Sequence, residues 1–126
     1  MSERSKSAKI RSVLGAYCQG VRDENLDAIC ALYAEDATVE DPYGAPKKCG
    51  IDEIRAFYAT SLLAKPRLRI AGEPVIVGAF SATPLIVDVH YNGRERVIEL
   101  ISIMSYDEDC KITTMTAYFD PAILVD

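Results

Sequence analysis

The periodicity of the chain changes at Pro66, and that change limits the folds open to it. Before Pro66 apolar residues recur at spacings of three and four; after it, β-branched and aromatic residues fill runs of strand length. From Lys9 to Val21, the residues Ile10, Val13, Leu14, Tyr17 and Val21 form the stripe of an amphipathic helix, with Tyr17 on its buried side. Asn25 is placed to cap a second helix carrying Leu26, Ile29, Leu32 and Tyr33 and ending near Asp36. Gly50 precedes a third, Ile51 to Leu63, with Ile54, Phe57, Tyr58 and Leu62 inward. Leu68 to Val77, Phe80 to Tyr91, Arg94 to Tyr106 and Lys111 to Phe119 then read as strands. Asn92-Gly93 is a hairpin signal, because both central residues of a type I′ turn need positive φ, and Asp107 to Asp109 mark another turn. The expectation is one α+β domain over residues 1–126, with three N-terminal helices on a curved, mainly antiparallel sheet. A curled sheet closed by helices leaves an apolar pocket between them.

Composition narrows what such a pocket serves. A formal charge of -5 argues against nucleic acid, which is bound through clustered Lys and Arg. The polar run Ser2 to Arg11 lacks the apolar core of a secretory signal, and no apolar stretch is long enough to span a bilayer, so a cytoplasmic protein with no membrane partner is expected. Cys18, Cys30, Cys49 and Cys110 contain no Cys-x-x-Cys pair and read as free thiols. With His90 the only histidine, a histidine-rich metal site is impossible.

One acid stands out. Asp41 shares strand parity with Ala37 and Val39, so its carboxyl falls on the apolar side of a sheet. Lost hydration there disfavours the charged form and makes the carboxylate a better proton acceptor. Pro42 ends the strand and leaves that carboxyl at a rim. Equally, an acid before proline can simply begin a turn. Ser102 shares parity with Ile98, Leu100 and Met104, whereas Glu99 lies on the other face with Val97, Ile101, Ile103 and Ser105, so both faces of this strand are mostly apolar. By the same alternation His90 is turned away from Leu85, Val87 and Val89.

The stretch Ala31 to Gly44 (ALYAEDATVEDPYG), followed by Gly50 to Tyr58, resembles the bacterial Δ5-3-ketosteroid isomerases of the NTF2-like, SnoaL-like superfamily. The similarity runs from about Ile10 to Phe119 and includes Asn92-Gly93, Ile103-Met104 and Thr114 to Tyr118. The resemblance implies an NTF2-like cone and a cofactor-free, metal-free reaction. In it the aspartate matching Asp41 moves a proton between two carbons beside a conjugating ketone, through a dienolate held in an oxyanion hole. The phenol matching Tyr17 donates to the developing oxyanion, backed by a hydrogen-bonded chain matching Tyr33 and Tyr58. In these isomerases, a standing example of a carboxylic acid kept neutral by an apolar site, an aspartic acid supplies the second donor. Here Ser102 occupies that position, a weaker acid and a shorter donor, so a moderated isomerase is expected.

The resemblance further implies apolar walls for a small polycyclic ketone, a steroid, from Val21, Phe57, Leu62, Leu85, Val87, Val89, Ile98, Leu100, Met115, Ala117 and Phe119. It also implies a homodimer. Two rivals remain at this stage: a hydrolase or dehydratase of the same fold, and a non-catalytic binder of small apolar ligands. The first needs an Asp-Arg pair or a histidine in the pocket, which the sequence supplies poorly. The second would leave Asp41 without a proton-transfer role.

Overall fold

A computed structural model describes residues 2–125. The first helix, α1 (Glu3–Arg22), starts earlier than its apolar stripe because Ser2 caps it, its hydroxyl accepting from the Ser5 N–H at 3.0 Å. α2 (Leu26–Cys30) follows, with the Asn25 side chain accepting from the Ala28 N–H at 3.0 Å. Then come β1 (Tyr33–Glu40), β2 (Lys48–Cys49) and α3 (Ile51–Ser61), which tightens into a 3₁₀ turn at Leu62–Ala64. β3 (Arg67–Ile70), β4 (Val75–Val77), β5 (Phe80–Tyr91), β6 (Arg94–Tyr106) and β7 (Ile112–Tyr118) complete the sheet, and a 3₁₀ turn at Pro121–Leu124 follows.

The sheet runs β2-β1-β7-β6-β5-β3, with β4 also paired to β5. All pairs are antiparallel except β1 with β7. β5 and β6 are in continuous register from Phe80↔Ser105 to Tyr91↔Arg94, and their turn has φ of 52° at Asn92 and 76° at Gly93, as a type I′ hairpin requires. At the β6–β7 turn, Asp107 Oδ1 accepts from the N–H groups of Asp109 and Lys111, both at 2.9 Å.

Two further boundaries differ from the sequence expectation. The second helix stops at Cys30, not near Asp36, and Tyr33 opens β1. The cause is long-range: the Ile112 N–H donates to the Leu32 carbonyl at 2.9 Å and Tyr33 pairs with Ile112, so β7 draws this segment into the sheet. The run Leu68 to Val77 divides into β3 and β4 around Gly72-Glu73-Pro74, where proline cannot donate to a ladder.

The core lies between the helices and the inner face of the sheet. Ile10, Ile29, Ile54 and Ile112 are all fully buried, each contributing roughly 1.5–3 kcal/mol. α1 approaches α2 closely at Gly20, where a Cβ would stand 3.1 Å from Ile29 Cγ1. Along β6 burial alternates, with Ile98, Ser102 and Met104 buried and Val97, Ile101 and Ile103 exposed, as the parity argument expects.

Candidate active site

The helices do not fill the curl of the sheet. An apolar cavity of about 630 Å³ remains, within the roughly 300–1,000 Å³ usual for small-molecule sites. Four of its polar groups are placed by local sequence rules. Tyr17 follows Ile10 and Leu14 along the buried stripe of α1 and is itself buried. Asp41 comes one residue after β1, continuing the parity of the fully buried Ala37 and Val39 to the cavity wall, half-buried beside Pro42. Tyr58 is carried by α3 one turn after Ile54, and both are buried. Ser102, 3% exposed, points inward from β6 opposite Thr83 on β5 and Ala117 on β7.

The phenols form a chain centred on Tyr58, whose Oη lies 2.8 Å from Tyr17 Oη and 2.5 Å from Tyr33 Oη. Tyr33 contributes to this chain without lining the cavity. Burial raises all three phenols above their usual range, so each remains a neutral donor at physiological pH. For Tyr17 the hydrogen bond from Tyr58 opposes that rise, while the nearby Asp41 charge adds to it. Burial likewise raises Asp41, from 3.8 to about 6. A carboxylate with that affinity for protons, in the same cavity as a chain of neutral phenols, can pass a proton to and from carbon while a phenol steadies negative charge on oxygen.

All the apolar residues expected as walls line this cavity: Val21, Phe57, Leu62, Leu85, Val87, Val89, Ile98, Leu100, Met115, Ala117 and Phe119. Pro42, Leu68 and Leu124 join them. Leu68 carried a signal, being the apolar residue between Arg67 and Arg69 in β3, but Leu124 sits on a short terminal turn that periodicity does not reveal. His90 corrects the alternation argument. The end of the β5–β6 hairpin brings it to the cavity lining, largely exposed, with Nε2 3.2 Å from Glu95 Oε1. Among the described residues no cluster of three or more His, Cys, Asp or Glu side chains could hold a metal ion, and no helix is long and apolar enough to cross a membrane.

Residues 14–115 match the SnoaL-like domain. A steroid Delta-isomerase of Nocardioides simplex is 33% identical over 119 residues, covering 94% of this chain and 96% of that relative. The chain belongs to the SnoaL-like family, in its ketosteroid isomerase branch. As a member of that branch it is an isomerase. The solved structure of SalBIII, described as an epoxide hydrolase/cyclase-like enzyme with a role in pyran ring formation in the polyether salinomycin, matches with a TM-score of 0.84 at 21% identity, over 90% of this chain and 92% of that one. That likeness speaks for the fold alone, and the fold is the NTF2-like one expected.

Proposed function

We propose that the isomerase acts on 3-oxo-Δ5-steroids, shifting the double bond into conjugation with the ketone. The observation that carries this reading is the shared cavity of Asp41, whose carboxyl is raised to about 6 by burial, and Tyr17, the cavity end of the phenol chain. Asp41 takes a proton from the carbon between ketone and alkene, and the electrons of that C–H bond flow into a dienolate. Tyr17 and Ser102 donate hydrogen bonds to its oxygen. The same carboxyl then returns the proton two carbons further along, so one group serves as base and acid with no oxidant, metal or nucleotide. The eleven apolar wall residues suit a flat polycyclic ketone, and the polar groups are few enough to orient it by its oxygen.

The outer face of the sheet suits a second copy of the chain. Pro84, Ile101 and Tyr118 are aligned across β5, β6 and β7, Tyr43 stacks on Tyr118 with ring centroids 5.1 Å apart, and Tyr43, Ile101, Ile103 and Tyr118 are all exposed. A homodimer covering this face should sediment at twice the chain mass. The four unpaired cysteines are compatible with a reducing compartment such as the cytoplasm.

The test of function is direct. Given a Δ5-3-ketosteroid, the folded protein should generate conjugated-enone absorbance well above the buffer rate, and Asp41→Asn should abolish most of it. Absence of turnover by the folded wild type would refute the reading. Intact ligand affinity in Asp41→Asn, combined with that absence, would mark a binding protein instead.

A further inference from the structure

Thr83 is fully buried, and its Oγ1 is the single buried side-chain polar atom without a hydrogen-bond partner among the described residues. It lies in β5 on the inward parity of Leu85 and Val87, where valine would fill the same volume without the cost of a buried, unpaired hydroxyl. Ser81, two residues earlier on the same face, shows how the strand usually resolves this, its Oγ lying 2.7 Å from Tyr106 Oη. Directly across the ladder from Thr83 is Ser102, which lines the cavity. Opposed residues of an antiparallel pair have Cβ atoms about 4.5–5.5 Å apart, and hydroxyl pairs at such positions hydrogen-bond.

We propose that Thr83 is a positioning residue for Ser102: the two hydroxyls are not bonded in this structure, and with a ligand in the cavity Thr83 Oγ1 turns about χ1 to donate to Ser102 Oγ while Ser102 donates to the oxyanion of the ligand. The proposal rests on the isomerase site described under Proposed function and deepens it. A lone serine hydroxyl is a weak donor with three rotamers to choose from. Accepting a bond from Thr83 fixes Ser102 toward the cavity and polarises its O–H, since hydrogen bonds in a low-dielectric chain reinforce one another. The oxyanion hole then has two relays of the same design: Tyr58 behind Tyr17 on the helix side, and Thr83 behind Ser102 on the sheet side. No covalent step is added and no proton leaves the relay.

The experiment compares Thr83→Val, which keeps the shape and removes the hydroxyl, with Thr83→Ser, which keeps the hydroxyl. Three quantities are measured: steady-state kcat and KM on a Δ5-3-ketosteroid, the Kd of 2-naphthol as an oxyanion-mimicking phenol, and the melting temperature. Thr83→Val should lower kcat about three- to tenfold and weaken 2-naphthol by a similar factor, with KM little changed and melting no lower than wild type. Thr83→Ser should restore most of both. In a Ser102→Ala background Thr83→Val should have no further effect. An unchanged kcat and Kd in Thr83→Val, or the same loss with and without Ser102, overturns the proposal. Should Thr83→Val not fold, Thr83→Ala carries the same comparison. A wild type without steroid turnover would sink the substrate assignment, whereas 2-naphthol binding still decides the coupling of Thr83 to Ser102.

Discussion

Replacing Asp41 by asparagine should make the protein more stable while destroying its proposed activity, and the size of the gain follows from burial. The carboxyl titrates at about 6 in the folded chain against an ordinary value of 3.8, and lost hydration is the cause. No described residue donates a hydrogen bond that would compensate the charge. Because the folded value is raised, the folded state binds more protons than the unfolded state between these two values, so stability falls as pH rises through that window. Well below pH 3.8 the carboxyl is neutral in both states and contributes nothing; well above pH 6 it is charged in both and the full penalty is present. The difference between 3.8 and about 6 corresponds to about 3 kcal/mol, a ceiling for what removing the charge can return. Asparagine is itself polar and leaves part of that cost in place, so we expect a gain of about 1–3 kcal/mol at pH 8. Urea unfolding of both proteins at pH 8 and pH 4 measures it. Turnover should fall at least about 10²-fold, the usual contribution of a positioned general base. A stability difference of the same size at both pH values, or a mutant less stable at pH 8, would refute the reasoning that desolvation alone sets the carboxyl.

Three further outcomes follow from the same geometry. The pH profile of kcat/KM should rise with an apparent pKa of about 6 as Asp41 ionises and then run flat across neutral pH, because burial pushes Tyr17 upward and keeps it protonated; initial rates on a soluble substrate from pH 4.5 to 9 will check this. Tyr58→Phe should cost more turnover than Tyr33→Phe, because it removes the hydroxyl that bonds both neighbours, and it should cost about 1–3 kcal/mol of stability by orphaning the buried Tyr33 hydroxyl, measured by denaturant unfolding. Ser102→Asp should raise turnover at neutral pH, because position 102 is more deeply buried than the half-buried Asp41, so an acid there is pushed up further, stays protonated and donates more strongly than serine; equal or lower turnover in a folded Ser102→Asp protein would contradict that.

Much of the fold was legible because hydrophobic periodicity is a local property. The stripe of α1, the inward side of α3 and the full extents of β5 and β6 all follow from residues close in sequence, and the Asn92-Gly93 turn sets the register of the longest hairpin. What periodicity could not supply was long-range pairing. Tyr33 continues a helical pattern from Ile29, yet it belongs to β1 because β7, about eighty residues later, hydrogen-bonds this stretch in parallel. The cavity residues divide the same way. Asp41 and Ser102 were visible as polar groups at positions whose parity neighbours are apolar. Thr83 has the same signature, a hydroxyl on the inward parity of β5, but only the β5–β6 register sets it against Ser102. His90 was misread because alternation says which face a side chain takes, not how far the hairpin end reaches around the opening.

The buried groups of this cavity are costly apart and useful together. Asp41 carries the charge, and its field adds to the burial that holds the Tyr17 phenol up, discouraging ionisation before a ligand arrives. In the proposed reaction the proton taken by Asp41 removes that field at the moment negative charge appears on the substrate oxygen. Tyr17 then faces an oxyanion instead of a carboxylate, with Tyr58 already bonded behind it. The net charge of the cavity is the same before and after proton abstraction; only its position changes, from one wall to the other. A site of low dielectric resists creation of charge far more than its relocation, so the apolar walls whose burial raises Asp41 to about 6 would not oppose the proposed dienolate. The same argument places the burden of discrimination on the donors. A ligand with no oxygen opposite Asp41 would leave the transferred charge unsolvated, and it should bind in the apolar cavity without reacting.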